Sequence, residues 1–327
     1  MSTPTWPTVV VLYADQRPPG MHAVEKHANV RYVTVKQLSH ALRGADVLFV
    51  WDFLSEALRD AWPAATDLRW VHIASAGVDR LLFPELVDSD VVVTNSRGVF
   101  ERPIAEYVLA TVLAFAKDLA MTWSLQVRRT WHHRETERVQ DTHALVLGTG
   151  PIGREIARLL SCVGIRVAGV GRTARTGDPD FGVVHACSEL GEVVGAADTL
   201  VIAAPLTEST RGLIDATVLG RMKPTARLIN VGRGPIVDTD AVLEALRSGR
   251  IAGAALDVFP EEPLPADHPL WTTPGAVISP HMSGDVVGWL DTLADLFVAA
   301  FDRWRRDEPL PNVVDKHLGY VPTESAS

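Results

Sequence analysis

The stretch HALVLGTGPIGREIARLL, residues 143–160, decides the fold of this chain. It begins as an apolar run typical of a buried strand, passes through three glycines, and continues with apolar residues at helical spacing. Gly148 and Gly150 permit a tight turn and a close approach to a pyrophosphate, and Gly153 permits close packing of the helix on the strand. The N–H groups at the helix N-terminus would face the anion. The stretch therefore predicts a dinucleotide-binding unit, although an ordinary glycine-rich turn has a similar pattern.

Strand-like segments alternate with helix-like segments along almost the whole chain, and this alternation predicts parallel α/β sheets. The strand-like runs cover residues 8–14, 30–35, 46–51, 68–74, 91–95, 143–147, 166–170, 199–204, 227–231 and 252–258. A long helix is expected to begin near Pro103 and to continue to residue 120. A polar and aromatic loop or docking arm would follow over residues 123–140. Residues 285–307 have apolar residues at helical spacing, and this last helix could return to the first domain.

The composition is that of a globular protein with room for two ordinary domains. The chain has 327 residues, of which 47% are hydrophobic and 22% charged, and its formal net charge is −9. This acidic balance argues against nucleic acid as a partner. The apolar run at residues 107–116 is about half a membrane span, and the N-terminus has no signal-peptide pattern. We therefore expect a cytoplasmic enzyme without a membrane partner.

Cysteine and histidine usage gives no indication of a metal site. The two cysteines, Cys162 and Cys187, are too few for a disulfide framework or a four-ligand zinc site, and we expect both to pack in apolar surroundings. The adjacent His132 and His133 lack a matching third ligand, so no metal is expected there.

The residues GVGRTAR, 169–175, follow the next strand and bear on the choice of cofactor. An NAD site usually presents Asp or Glu here to the ribose hydroxyls, but this chain has Gly171 followed by Arg172 and Thr173. The missing acid removes a repulsion, and Arg172 and Thr173 would donate hydrogen bonds to a 2′-phosphate. Arg175 could add attraction if its loop folds inward. NADP is therefore the preferred cofactor, and NAD remains possible. The alternative is that both arginines face water on a polar loop and bind no phosphate.

Three reactive side chains follow later predicted strands. Arg233 lies in LINVGRGPIVD, Glu262 in ALDVFPEEPLP and His281 in ISPHMSGD. Because the carboxyl ends of parallel strands line one crevice, these distant positions can converge. Taken singly, Arg233 could pair with a nearby aspartate, and Glu262 and His281 could be turn residues.

The motifs in their order resemble the D-isomer-specific 2-hydroxyacid dehydrogenase family, and its glyoxylate and hydroxypyruvate reductase branch in particular. The resemblance covers most of the chain and rests on HIASAGVD, VVVTNSRG, PIAEYVLA, GTGPIG, APLTESTRGLID, MKPTARLINVGRGPIVD, AGAALDVFPEEPLP and SPHMSG. It implies two Rossmann-like, doubly wound parallel-sheet domains with an active-site cleft between them. The substrate-binding domain would comprise residues 1–102 and 285–327, and the dinucleotide-binding domain residues 103–284.

The resemblance also implies roles for individual residues. Arg233 would bind the substrate carboxylate and polarise the neighbouring carbonyl, His281 would donate the proton, and Glu262, rather than Glu261, would fix the orientation of His281. Asp257 resembles the residue that holds the nicotinamide carboxamide, and Asn95 matches a recurrent residue at the hinge. The expected substrate-binding residues are Ala76, Gly77, Val78, Arg233, Trp51 and Phe53. The expected cofactor contacts are Gly148, Gly150, Pro151, Ile152, Gly153, Gly171, Arg172, Thr173, Arg175, Ala204, Pro205, Val231 and Asp257.

The leading interpretation is an NADPH-preferring reductase that converts small 2-oxo acids to D-2-hydroxy acids. An NAD-linked dehydrogenase of a larger 2-hydroxy acid is a second interpretation, and a cofactor-sensing binding module related to corepressors is a third. Family members commonly dimerise through the dinucleotide-binding domain, so we expect a homodimer in which Trp131 could reach the neighbouring active site. Core packing of Trp51 and Phe53 is an equal alternative to a place in the substrate pocket.

Overall fold

A parallel sheet forms the centre of each of the two units into which the chain divides. One unit comprises Met1–Val99 and Val286–Ser327, and the other comprises Phe100–Asp285. The computed structural model describes residues 6–322, so the first five residues, where no signal-peptide pattern was found, lie outside the described part.

The first unit contains a five-stranded sheet in the order β2-β1-β3-β4-β5, with all neighbours parallel. Its strands are β1 Thr8–Leu12, β2 Asn29–Val33, β3 Val47–Val50, β4 Trp70–Ile73 and β5 Val92–Thr94. Its first helices are α1 His22–Glu25, α2 Val35–Ala41, α3 Ala57–Ala61 and α4 Pro84–Val87. Every residue of the mainly apolar strands β1, β3 and β4 is buried, as expected of parallel strands that are covered on both faces.

The second unit contains an eight-stranded sheet in the order β13-β12-β11-β10-β6-β7-β9-β8. Its strands are β6 His143–Leu147, β7 Arg166–Gly171, β8 Arg175–Asp178, β9 Gly182–Ala186, β10 Thr199–Ile202, β11 Arg227–Asn230, β12 Gly253–Leu256 and β13 Ala276–Ile278. All neighbours are parallel except β8 and β9. The strand order reverses beside β6, which places the glycine-rich turn at a topological switch point, where such sheets bind ligands.

Helices surround this second sheet, and short 3₁₀ turns connect several elements. The helices are α5 Glu101–Ala116, α6 Leu119–Val127, α7 Pro151–Cys162, α8 Leu190–Val193, α9 Ala216–Arg221 and α10 Thr239–Arg247. The 3₁₀ turns of the described chain are Trp62–Ala64, Cys187–Glu189, Val194–Ala196, Gly234–Ile236 and Pro269–Thr272.

The last helix, α11 Trp289–Trp304, belongs to the first unit and packs its aromatic side chains on that unit's sheet. Phe297 stacks on Phe49 of β3 with ring centroids 3.9 Å apart, and on Trp70 of β4 at 5.4 Å. Phe297, Phe49 and Trp70 are fully buried, and together they join the helix to the centre of the sheet.

Three local expectations from the sequence are wrong. The helix predicted to run to residue 120 ends at Ala116, because Asp118 adopts a left-handed conformation (φ 48°) and Arg134 holds both its carboxylate and its carbonyl oxygen. The predicted loop at residues 123–140 begins as helix, since α6 extends to Val127. Cys162 is exposed at the end of α7 rather than packed in apolar surroundings. Among residues 6–322, no helix is long and apolar enough to cross a membrane.

Candidate active site

The glycines after β6 are required by close backbone contacts at two positions and leave open space at the third. A Cβ on Gly148 would lie 2.6 Å from the carbonyl carbon of Ala203, and Gly148 also has a φ of +108°. A Cβ on Gly153 would lie 1.9 Å from the carbonyl oxygen of Gly148. A Cβ on Gly150 would meet nothing within 4 Å. Gly148 and Gly153 therefore build the turn, and Gly150 keeps a space open in front of the α7 N-terminus.

This open space has the properties that a dinucleotide pyrophosphate requires. Gly150 caps α7, and Pro151 has no N–H group, so Ile152 and Gly153 carry the first amides of the helix. These amides and the positive end of the helix dipole favour an anion that approaches over Gly150. The residues present therefore fit the pyrophosphate of NAD(P).

Other predicted cofactor contacts lie at the ends of the neighbouring strands. The backbone of Ala204 lies 2.7 Å from the Cβ position of Gly148, and Pro205 follows it on the protein surface. Val231 follows β11 and donates its N–H to the carbonyl of Ile202 in β10. The expected contacts on β6, β10 and β11 thus share one edge of the sheet.

Gly171 ends β7 at a place where a larger residue would be crowded by Thr149. A Cβ there would lie 3.0 Å from Thr149 Oγ1 and 3.4 Å from Val184 Cγ1. Thr149 belongs to the glycine-rich turn, so its side chain takes up the room in which an acid at position 171 would begin. No local sequence pattern indicates this role of Thr149, because the contact joins two separate motifs.

Arg172 and Thr173 are exposed beyond the end of β7, whereas Arg175 lies in β8 and is paired with an acid. The guanidinium of Arg175 contacts Asp178 Oδ2 at 2.9 Å through Nε and 2.8 Å through a terminal nitrogen. Arg154 of α7 also binds both oxygens of Asp178, each at 2.9 Å. Burial raises the pKa of Asp178, but the hydrogen bonds from the two arginines hold it well below its usual range. Arg175 therefore pins the β8–β9 hairpin in this structure.

The loop that carries Arg233 is fixed by side-chain and backbone contacts around it. Asn230 accepts a hydrogen bond from Gly232 N at 3.1 Å and donates one to the Arg233 carbonyl at 3.1 Å. Gly234 packs so closely that a Cβ would lie 1.9 Å from the carbonyl carbon of Phe259. The Arg233 loop is thereby held directly against the start of the segment that contains Glu262.

Glu262 and His281 form a hydrogen-bonded pair. Glu262 Oε1 accepts from the backbone N–H of Phe259 at 3.0 Å, and Oε2 lies 2.9 Å from His281 Nδ1. Since a carboxylate only accepts hydrogen bonds, Nδ1 carries a hydrogen and Nε2 is the ring atom left for a substrate. The side chains of His281 and Glu262 are 35% and 17% exposed, so the pair is accessible on one side. Glu262 does bind a backbone N–H, as the turn-residue alternative expects. That alternative does not account for the hydrogen bond between the Glu262 and His281 side chains.

Asp257, the residue expected to hold the nicotinamide carboxamide, lies just after β12 and also organises the neighbouring loop. It is 1% exposed, and its carboxylate accepts hydrogen bonds from Ser279 Oγ, Met282 N and Ser283 N. Its carbonyl oxygen accepts from His281 N at 2.8 Å. Asp257 therefore fixes the loop that carries His281, a role that no local sequence pattern indicates.

In the first unit, the loop at residues 76–78 follows β4 and is anchored by polar side chains. Asn95 donates to the carbonyl of Ala76 at 2.6 Å, and Ser75 Oγ donates to the carbonyl of Gly77 at 2.6 Å. Ser96 N in turn donates to the carbonyl of Ser75 at 2.9 Å. Asn95 thus serves this loop directly, a contact that the sequence motif alone does not reveal.

Trp51 and Phe53 follow β3 in the same unit. Trp51 is 8% exposed and packs edge-on against Phe49 at 5.6 Å, as in the core-packing alternative. Phe53 is partly buried and lies 6.1 Å from the ring of Trp289. Of the two, Phe53 has the more accessible side chain.

A dinucleotide cradle together with a carboxylate–histidine pair and an arginine at neighbouring strand ends defines a nicotinamide-dependent oxidoreductase. Residues 109–283 match the sequence profile of the D-isomer specific 2-hydroxyacid dehydrogenase NAD binding domain. A glyoxylate reductase of Thermofilum pendens is 30% identical over 292 residues, which cover 86% of this chain and 85% of that protein. The chain belongs to the D-isomer-specific 2-hydroxyacid dehydrogenase family, and it is an NAD(P)-dependent enzyme.

Two solved structures of relatives superpose over nearly the whole chain. The D-isomer specific 2-hydroxyacid dehydrogenase from Xanthobacter autotrophicus Py2, in complex with NADPH and MES, is 30% identical, with a TM-score of 0.78 and coverage of 95% of this chain and 99% of its own. The NADPH-dependent glyoxylate/hydroxypyruvate reductase of Sinorhizobium meliloti, in complex with NADP and sulfate, is 26% identical, with a TM-score of 0.78 and coverage of 96% and 100%. The predicted fold class and the predicted family are confirmed.

Proposed function

We propose that this protein is an NADPH-preferring reductase that converts small 2-oxo acids, such as glyoxylate or hydroxypyruvate, to D-2-hydroxy acids. The observation that carries this proposal is the Glu262–His281 hydrogen bond of 2.9 Å, which leaves one imidazole nitrogen for a substrate oxygen. The names of the Thermofilum and Sinorhizobium relatives support the substrate class. The unit Phe100–Asp285 is assigned to the cofactor, and the other unit to the substrate.

The residues of the chain divide the chemistry among them. A bound reduced nicotinamide supplies the hydride that reduces the ketone carbon. Arg233 binds the substrate carboxylate with two donors, and its charge polarises the neighbouring carbonyl. The backbone amides at residues 76–78 also bind the carboxylate. His281 donates a proton from Nε2 to the oxygen as negative charge develops on it, while Glu262 keeps the ring in place.

The preference for NADPH rests on the end of β7. Position 171 is a glycine, so it presents no acid to a 2′-phosphate, and the exposed Arg172 and Thr173 are donors of the type that bind one. The NADPH in the Xanthobacter relative supports this choice. Arg175 contributes indirectly, since its guanidinium is engaged by Asp178.

Initial rates with a panel of 2-oxo acids and both cofactors test this function. We expect rapid NADPH oxidation with glyoxylate or hydroxypyruvate and slower turnover with longer side chains. Faster turnover of the larger acids with NADH would support the NAD-linked alternative. A chain that binds NADPH but oxidises it with none of the acids would instead be a cofactor-sensing module.

Replacing Arg172 by alanine should weaken NADPH much more than NADH, since only NADPH has the 2′-phosphate. A lost charge-assisted hydrogen bond corresponds to roughly a 10- to 100-fold rise in KM for NADPH. The KM for NADH and for the 2-oxo acid should change little. Arg166→Ala, at the opposite end of β7, is the matched control. Equal weakening of both cofactors would contradict the assigned role of Arg172.

We also propose a homodimer that forms through the second unit. Four large apolar side chains on and just after α6 are exposed: Met121 (43%), Trp123 (60%), Val127 (83%) and Trp131 (100%). Such a concentration of exposed apolar surface is typical of a protein–protein interface. A second copy of this chain is the proposed partner, and Trp131 belongs to the same surface.

The mass in solution tests the dimer. Light scattering after size exclusion should give about twice the monomer mass of 35.5 kDa. Val127→Glu should shift the protein toward the monomer, because it places a charge in the apolar interface. Val35→Glu, which changes an exposed valine in the first unit, should leave the dimer intact. A monomeric wild-type protein would rule the proposal out.

A further inference from the structure

The loop that carries His281 is held in an uncommon backbone conformation by one buried aspartate. His281 has a φ of +53°, in the left-handed region that residues with a side chain seldom adopt. Such a conformation persists where the surrounding contacts over-determine it. Here Asp257 binds His281 N through its carbonyl and the N–H groups of Met282 and Ser283 through its carboxylate. The position of His281 therefore depends on Asp257.

Asp257 is itself the last member of a hydrogen-bond chain that begins on α5. Ser279 Oγ lies 2.6 Å from Asp257 Oδ1, and Tyr107 Oη lies 2.6 Å from Ser279 Oγ. Ser279 is 9% exposed, and Asp257 is 1% exposed. We call these three residues, Tyr107, Ser279 and Asp257, the Tyr–Ser–Asp chain.

The direction of the hydrogen bonds follows from the number of protons. An ionised carboxylate only accepts, so the single hydroxyl proton of Ser279 is donated to Asp257. Ser279 then has no proton left for Tyr107, and Tyr107 must be the donor of the first bond. Burial raises the pKa of Tyr107, so its hydroxyl keeps the proton that this bond requires.

We propose that Tyr107 is a positioning residue for His281 and acts through Ser279 and Asp257. Its hydroxyl stabilises the orientation of Ser279 Oγ that serves Asp257 Oδ1. The Asp257 carboxylate can then hold the N–H groups of Met282 and Ser283, the two residues that follow His281, while its carbonyl holds His281. The inference rests on the proposed role of His281 as the proton donor. The helix α5 would then help to position His281, in addition to the hydrogen bond that Glu262 makes with it.

The test is Tyr107→Phe, which removes one oxygen and keeps the ring in the space that it fills. Losing a hydrogen bond in the chain should lower kcat about fivefold. The dissociation constant of NADPH should remain within about twofold of the wild-type value, since the glycine-rich turn is untouched. Tyr32→Phe is the matched control, because the Tyr32 hydroxyl donates to Glu25 in the first unit and takes no part in the Tyr–Ser–Asp chain.

A double-mutant cycle separates positioning from a general structural effect. Ser279→Ala should lower kcat by a similar factor, and Tyr107→Phe should add little further loss in that background, because the chain is already interrupted. Fold losses that multiply would contradict the Tyr–Ser–Asp chain. A Tyr107→Phe enzyme with wild-type kcat, or one altered only in thermal stability, would overturn the proposal.

His281→Ala distinguishes failure of this inference from failure of the proposed function. If His281→Ala is nearly inactive and Tyr107→Phe is unimpaired, only the positioning role is lost. If His281→Ala retains normal turnover, the assigned function of His281 fails and the positioning role fails with it. Both variants are measured with NADPH on the substrate that the panel identifies.

Discussion

Replacing His281 by alanine should lower kcat by roughly 10²- to 10⁴-fold, the contribution of a well-placed general acid. His281 Nδ1 is engaged by Glu262 at 2.9 Å, so Nε2 is the ring atom that serves the substrate oxygen, and alanine has no group that donates a proton. NADPH binding should be nearly intact, because the substitution does not change the phosphate cradle, which lies between β6 and α7. Steady-state rates and fluorescence titration with NADPH measure the two effects separately.

His133→Ala is the control for this experiment. His133 is an exposed residue in the segment after α6, and its loss should leave kcat unchanged. Near-normal turnover of His281→Ala would remove His281 from the mechanism. A large loss of NADPH affinity in the same variant would indicate that the loop after β13 supports the cofactor rather than the proton transfer.

The parts of the fold that could be predicted from the sequence are those with a strong local pattern. The runs 143–147 and 227–231 are short, mainly apolar segments, and they form β6 and β11 at nearly the predicted positions. Gly148 and Gly150 could be assigned to a tight turn, and Gly153 to close helix–strand packing, because an apolar strand precedes them and a helix-patterned segment follows. The pairing of Glu262 with His281 followed from the order of strands and from the family resemblance.

The parts that could not be predicted depend on contacts between distant segments. The segment around Arg175 has the composition of a polar loop, but Arg175 lies in β8 because Asp178 and Arg154 hold the hairpin in place. The helix break at Asp118 depends on Arg134, sixteen residues later. The Tyr–Ser–Asp chain links positions 107 and 279, and no local pattern contains both.

A buried histidine in the first unit gives that unit a predicted sensitivity to acid. Trp70 Nε1 donates to Thr94 Oγ1 at 2.8 Å, and Thr94 Oγ1 lies 2.8 Å from His72 Nδ1. Ser96 Oγ lies 3.4 Å from His72 Nε2 and donates to the carbonyl of Ile73 at 3.0 Å. Since Ser96 uses its proton on that carbonyl, it accepts from Nε2–H, and Nδ1 accepts from Thr94. A neutral His72 therefore satisfies every partner.

A second proton on His72 would remove the acceptor that Thr94 requires and would place a charge among Phe49, Phe297 and Trp70. Burial accordingly lowers the pKa of His72 from 6.5 to about 3. The folded pKa lies below the unfolded one, so between these values the unfolded state binds more protons. The free energy of unfolding is therefore expected to fall as the pH decreases from about 6.5 toward 3, by at most about 1.4 kcal/mol per pH unit.

The comparison that isolates this effect is denaturant unfolding of the wild-type protein and of His72→Gln between pH 7.5 and 4. Glutamine keeps polar atoms at the site but does not titrate, so the variant should be less stable near neutral pH yet lose less stability on acidification. Six of the nine tryptophans, Trp70 among them, belong to the unit that contains the site, so tryptophan fluorescence reports mainly on that unit. His27→Gln, which changes an exposed histidine of the same unit, should follow the wild-type slope. Parallel curves for wild type and His72→Gln would mean that His72 does not stay neutral in the folded state.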